Sequence, residues 1–240
     1  MIDFSYRSYV ELLTFIQTLG YAICPLRDAP VAGPMTILRH DVDYSVIKAC
    51  EMAAVEQSIG VRSTFMVMLT SPYYNLLQQE HLRTLLDMAA MGHEIGLHYD
   101  TDACLARAPD DQAAEIVRLA HFLETQAGAR ITSVAQHNPS VTDVRIQVPG
   151  FSDAYAAPYF TEIAYLSDSR RLFGAPDVYA FFRSNPRSQL LIHPLWWFEQ
   201  PVSRAEAFRA VRDVILADAD ARLSAMNASM ERDERRMRGA

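Results

Sequence analysis

ILRHDVDYS, residues 37–45, decides the reading of this chain. An apolar run, MTIL (35–38), passes into Arg39 and His40 and then into two carboxylates, Asp41 and Asp43, one residue apart. Residues 35–40 have the make-up of a buried strand. Residues 45–60, SVIKACEMAAVEQSIG, read as a helix stopped by Gly60. The same β-then-α unit recurs on either side. A helix is expected over 5–19, with Ser8 and Glu11 at capping-box spacing and Gly20 as its stop. A strand over 62–69 is followed by a helix over 75–91 that ends at Gly92, and then by a short strand over 93–98. Pro109, Asp110 and Asp111 open a helix over 109–127 that ends before Gly128. Strands are expected at 131–137, 162–168 and 189–194. A C-terminal helix follows Pro201, from about 202 to 230, and the charged residues 230–240 are expected to fray or to form a tail.

Alternating strands and helices without an internal repeat predict a single domain over 1–240. Its sheet is mainly parallel, open or closed into a barrel, and ligands lie beyond the carboxyl ends of the strands. The 240 residues are 50% hydrophobic and 21% charged, enough for a core without disulfides. A net charge of -7 and no basic stripe argue against nucleic acid. Cys24, Cys50 and Cys104 are odd in number and widely spaced, which argues against a secreted disulfide framework. Asp3, Arg7 and Glu11 interrupt what a signal peptide would need, and no apolar run reaches the ~18 residues of a membrane span. A cytoplasmic protein with reduced thiols is expected.

Chemistry-bearing residues collect where the apolar runs stop. Asp41 and Asp43 follow MTILRH, His98 closes HEIGLH, His137 closes ITSVAQ, Asp168 closes EIAYLS and His193 closes QLLI. In extended backbone, residues two apart share a side, so Arg39, Asp41 and Asp43 face one pocket. Two carboxylates so placed repel, and a divalent cation or an arginine relieves them. Asp43, His98 and His137 make an Asp–His–His set with an open position, the pattern of a catalytic metal site. The bland alternatives are capping acids at a strand-to-helix turn and hydrogen-bonded core histidines. His40, expected to face away from Asp41, and His93, which opens its strand, take the core reading. His81 and His121, within helices, receive no role.

These residues, with the string GHEIGLH (92–98), resemble the polysaccharide deacetylases, carbohydrate esterase family 4, in a divergent branch with RHDVD where the family has TFDDG. The resemblance covers about residues 35–198. It implies a distorted (β/α)7 barrel and metal-dependent removal of an N-acyl group, formyl or acetyl, from an amino sugar. It carries the catalytic base onto Asp41, the metal-binding aspartate onto Asp43 and the first histidine ligand onto His98. The general acid falls on His193, with Asp168 as the acid that orients it. Two departures stand out. The family's second histidine ligand falls at Asp102, so the third ligand is either His137 or Asp102. No arginine stands in QHNPS (136–140), which leaves Arg39 to steady Asp41.

One divalent ion is implied, Zn²⁺ first, with Co²⁺, Ni²⁺ or Fe²⁺ as alternatives. Trp196 of PLWWFEQP is placed at the lip of the site to stack on a sugar, and core packing is expected for one of the two tryptophans. Arg39 and Arg170 are placed as substrate contacts, the latter toward a phosphate on a nucleotide- or lipid-linked sugar. Residues 138–160 are expected to loop over the pocket with Tyr155 and Tyr159. The implied setting is surface-polysaccharide assembly. Competing readings are a hydrolase of esters or non-sugar amides and a non-catalytic sugar-binding protein on a decayed barrel. A homo-oligomer through the C-terminal helix is compatible with the sequence, although sustained heptads are absent.

Overall fold

A computed structural model describes residues 2–141, 144–174 and 177–238. It separates into two compact units that divide between Val202 and Ser203. The first unit opens with α1 (Tyr6–Thr18), β1 (Ala22–Cys24), β2 (Met35–Val42) and α2 (Val46–Ser58). It continues through β3 (Thr64–Val67), α3 (Gln79–Ala90), β4 (Glu94–Tyr99), α4 (Thr101–Leu105), α5 (Pro109–Ala127) and β5 (Ser133–Gln136). It closes with β6 (Ser152–Asp153), α6 (Ala157–Phe160), β7 (Ala164–Ser167), α7 (Val178–Ser184) and β8 (Arg187–Ile192). Every strand pairing is parallel, in the order β6-β5-β4-β3-β2-β8-β7, and β1 adds to the start of β2. The sheet curls into an open half-barrel, a distorted form of the (β/α)7 barrel, with the last strands joined back to β2 through β8.

The pleat explains how the sequence is partitioned. Phe65, Val67, Ile95, Leu97 and Val134 point outward and bury against Ala49 and Ala53 of α2, Leu85 and Met88 of α3 and Ile116, Ala120 and Leu123 of α5. Met35, Ile37, Met66, Ala135 and Ala154 pack on the inner side. Alternation then sets Arg39 and Asp41 of β2, and Glu94, Gly96 and His98 of β4, in line along the interior. Gly96 is needed there. A β-carbon at this position would overlap Met66 Sδ and stand 3.0 Å from the Ser133 carbonyl oxygen. Overpacking of this kind costs about 1–3 kcal/mol. Gly96→Ala should therefore lower the urea midpoint with the m-value unchanged, and an unmoved midpoint would show that the interior can yield.

His40 and His93 occupy the outer side, as expected. His40 Nε2 lies 2.6 Å from Glu56 Oε1, which also accepts from Tyr9 Oη at 2.5 Å, while Ser63 Oγ donates to Oε2 at 2.5 Å. His93 Nε2 is 3.1 Å from the Ala53 carbonyl oxygen. Burial alone would raise the Glu56 carboxyl, but the two imidazoles and the Ser63 hydroxyl outweigh it and hold it low.

Some boundaries differ from expectation. Ser5, not Ser8, caps α1, because Ser5 Oγ accepts from Ser8 N at 3.1 Å. Strands β1 and β6 and helices α4, α6 and α7 fall outside the elements expected from periodicity, being two to seven residues long. The second unit is α8 (Arg204–Arg238), which stays helical through its charged end instead of fraying. Glu231–Arg235 and Glu234–Arg238 pair one turn apart, and arginines suit the negative end of the helix dipole. Residues 239–240 of the expected tail lie outside the described residues. No helix among the described residues is long and apolar enough to cross a membrane.

Candidate metal centre

The six strand-end residues, Asp41, Asp43, His98, His137, Asp168 and His193, meet at the carboxyl ends of five parallel strands. Asp43 stands just past β2, His98 within the last turn of the pleat of β4 and His137 just past β5. One ligand atom from each of Asp43, His98 and His137 lies within 4.8 Å of the others. His98 is fully buried, and its Nδ1 lies 3.0 Å from the Ala135 carbonyl oxygen, which can only accept. Nδ1 therefore carries the proton, and the Nε2 lone pair is turned toward Asp43 Oδ1 at 3.3 Å. That oxygen is buried and has no hydrogen-bond donor. Two lone-pair-bearing atoms face each other, so the arrangement fits a cation between them. His137 presents its ring edge-on to His98, with centroids 5.2 Å apart. Its backbone is fixed by N–H donation to the Tyr99 carbonyl and by Thr101 Oγ1, which donates to the His137 carbonyl at 2.6 Å.

Protonation states suit the same role. Burial alone would raise the Asp43 carboxyl, but His98, His193 and His137 outweigh it and hold it at about 2. Burial and the neighbouring His98 keep the His137 imidazole below its usual range, hence neutral. Burial opposes the charged form of His98, but the carboxylates of Asp41 and Asp43 raise it, so a cation at Nε2 binds in competition with a proton. Asp102 is exposed in the first turn of α4 and does not join the group. Asp100 is taken up in capping that turn, its Oδ1 accepting from Asp102 N and Ala103 N.

Two further arrangements flank the three residues. On one side, Asp41 Oδ2 lies 3.6 Å from His98 Nε2, and Asp41 Oδ1 lies 3.0 Å from Arg39 Nε. Arg39 is completely buried. Its terminal nitrogens donate to Asp41 Oδ2 at 3.1 Å, to Gln189 Oε1 at 3.0 Å and to Tyr155 Oη at 2.7 Å. Its expected place as a substrate contact is thereby corrected: it has no open face, and it holds Asp41 from behind. On the other side, His193 Nδ1 lies 2.7 Å from Asp168 Oδ1. Buried Asp168 also accepts from His193 N at 3.0 Å and from Trp197 Nε1 at 2.9 Å. Burial alone would depress the His193 imidazole. The bond to Asp168, helped by the charges of Asp41 and Asp43, instead lifts it to about 9.

The tryptophans do not form a lip. Pro194–Trp196 turns inward as a short 3-10 segment, Trp196 is 5% exposed, and Trp197 packs against Phe4 and Tyr9 in the core. Trp196 thus offers no open ring face for a sugar. Arg170 is exposed in the turn after Asp168, while Arg171 is engaged by the Val202 carbonyl and the Phe4 ring. Gln189 was not anticipated. The available signal was a lone polar residue in an apolar strand, two and four residues before the inward-facing Leu191 and His193. Tyr155, expected on a loop over the pocket, instead reaches Arg39.

No protein-family model matches the chain, and no curated protein sequence matches it. Solved structures with similarity to it include the chitin deacetylase of the fungal pathogen Colletotrichum lindemuthianum. It shares 14% identity over 77% of this chain and 84% of that one, with a TM-score of 0.47. A peptidoglycan deacetylase from Bacillus subtilis shares 17% identity over 79% of this chain and 85% of that one, with a TM-score of 0.46. A CE4-family pseudoenzyme from Bacillus anthracis shares 15% identity over 78% of this chain, with a TM-score of 0.46, and this chain spans 62% of its length.

Proposed function

We propose that the chain is a metal-dependent amide hydrolase that removes a formyl or acetyl group from an amino sugar, in the cytoplasm and in the service of surface-glycan assembly. The observation that carries the reading is the Asp43–His98–His137 group, set between a carboxylate backed by arginine and an imidazole backed by carboxylate. Two imidazoles and one carboxylate suit a borderline cation, Zn²⁺ first, then Co²⁺, Ni²⁺ or Fe²⁺. A divalent ion held by these residues supplies Lewis acidity, lowering the pKa of water and polarising a carbonyl. Asp41 takes the proton from the attacking water. Arg39 and, behind it, Gln189 and Tyr155 fix the orientation of that carboxylate. His193 gives a proton to the departing amine from Nε2, because Nδ1–H is committed to Asp168. The amino-sugar substrate is supported by the likeness of GHEIGLH and RHDVD to the deacetylase motifs. Aspartate in place of a histidine at position 102 favours a non-catalytic barrel, and His137 beside His98 weakens that reading.

Released acetate or formate, measured after incubation of the zinc-loaded protein with N-acetyl and N-formyl amino sugars, tests the reading. No release from any of them, with metal bound, would reject it.

The pH profile carries its own sign. A general acid works while protonated, so a His193 pKa lifted to about 9 keeps the acid competent through neutral pH, and activity falls as pH rises through that value. Asp168→Asn removes the charge that lifts it. The alkaline limb of kcat should then move down toward the ordinary imidazole range of about 6.5. A limb that stays in place would separate His193 from the proton transfer.

A further inference from the structure

Trp197 is completely buried, and a buried indole N–H needs an acceptor. A backbone carbonyl would serve, yet the acceptor here is the carboxylate of Asp168, with Trp197 Nε1 donating to Oδ2 at 2.9 Å. The other bonds to this carboxylate come from His193. Its Nδ1 and N lie 2.7 and 3.0 Å from Oδ1, and N is also 3.2 Å from Oδ2. Among the described residues, the indole is thus the one donor to Asp168 Oδ1 or Oδ2 from outside His193. The indole is itself held. The tight turn Pro194–Trp196 brings it back to the strand end, and Trp197 N donates to the Pro194 carbonyl at 3.3 Å. Its ring packs on Tyr9 and Phe4 with centroids 4.9 and 5.1 Å away. Phe198, next in the chain, accepts from Tyr6 N at 2.8 Å and donates from its own N to the Phe4 carbonyl at 3.2 Å. A free carboxylate rotates about its last bond. With Oδ2 held by Trp197, Oδ1 stays on the His193 Nδ1–H, and Nε2 keeps one direction. The same bond draws charge from the carboxylate, and hydrogen bonds to an ionised group are roughly twice as strong as neutral ones. A carboxylate shared in this way attracts the imidazolium proton less than a bare one.

We propose that Trp197 is a positioning residue for the proton donor: its indole N–H fixes the rotation of Asp168 and takes up part of its charge, which keeps His193 aimed at the departing amine and able to release its proton. The inference rests on His193 as the general acid and names a second residue that acts on it through Asp168. Other groups act on the same pair. Asp41 and Asp43 reach His193 from the end of β2, and the Tyr9 phenol feels the Asp168 charge from α1. All three stay in place when the indole N–H alone is removed.

Two changes separate the N–H from the ring. Replacement of Trp197 by benzothienylalanine sets sulfur where the N–H stood and keeps the shape, whereas Trp197→Phe removes the N–H together with part of the ring. NMR of isotope-labelled histidines in the full chain reads protonation directly, the His193 signal being the one absent from His193→Gln. Without the N–H, the His193 titration should move up by about 0.5–1 pH unit from its place near 9, the opposite direction to Asp168→Asn. In the zinc-loaded proteins, kcat near neutral pH should fall by about three- to tenfold with KM unchanged, because the donor is a weaker acid and less well aimed. Lost packing alone would loosen the Asp168–His193 bond and lower the imidazole. A titration that stays or falls in the benzothienylalanine protein, or an unchanged kcat there, would therefore overturn the inference, whatever Trp197→Phe does. The two readings fail separately. A raised titration in a chain that hydrolyses no N-acyl amino sugar rejects the hydrolase and leaves the hold of Trp197 on Asp168 and His193. Hydrolysis with an unmoved titration rejects the role of Trp197 alone.

Discussion

His98→Ala will lose bound metal and, with it, all turnover above background, and added zinc will not restore either. His98 has the least freedom of the three residues in the group. It is buried, its tautomer is set by the Ala135 carbonyl, and its Nε2 is within 3.6 Å of both Asp41 and Asp43. Losing an outer-shell partner of a metal ligand already costs about 10–100-fold in affinity, and loss of the ligand itself costs more. Truncation also leaves two carboxylates together with one less imidazole between them, which worsens their repulsion. His98→Gln fills the space without the imidazole and serves as the folded comparator. Elemental analysis of dialysed protein, alongside acyl release, reads both effects. Full metal occupancy in either variant would move the site away from β4.

Asp41→Asn should do the reverse, keeping metal and losing chemistry. Asp41 stands outside the three-residue group, yet it lies against it and is backed by a buried guanidinium. Asparagine retains an oxygen for Arg39 but cannot take a proton, so kcat should fall by about 10²–10⁴-fold with metal content unchanged. The change also leaves Arg39 without its counter-charge, and breaking a buried pair from one side costs about 3–5 kcal/mol. Thermal melts should therefore accompany the kinetics. Asp41→Glu keeps the charge beside Arg39 but shifts the carboxylate by one methylene. It should melt near the wild type while still losing most turnover. If either variant turned over at the wild-type rate, Asp41 would not be the base.

How much of this was legible in the sequence follows from the range of each interaction. Buried parallel strands are continuous apolar runs, and the helices between them end at Gly20, Gly60, Gly92 and Gly128, so the alternating architecture could be read from local pattern alone. Parallel topology then puts every strand's carboxyl end on one side. This is why Asp43, His98 and His137, far apart in sequence, could be grouped before any coordinates. The losses have equally local causes. Two-residue β6 and four-residue α6 are shorter than the period that would reveal them. Gln189 and Tyr155 matter only as partners of Arg39, and that depends on cross-strand register and on a loop path that no local pattern encodes. Trp196 was misplaced because the direction of one tight turn after His193 decides whether it faces solvent or core.

Everything in the proposed chemistry depends on one cation shared by three strand ends. Anomalous diffraction from crystals of zinc-loaded protein, recorded at the metal edge, locates that cation directly. The account predicts one ion per chain at roughly 2.0–2.2 Å from Asp43, His98 and His137. An ion bound through Asp102 in place of His137, an ion bound away from β4, or no ion in protein saturated with zinc would contradict it.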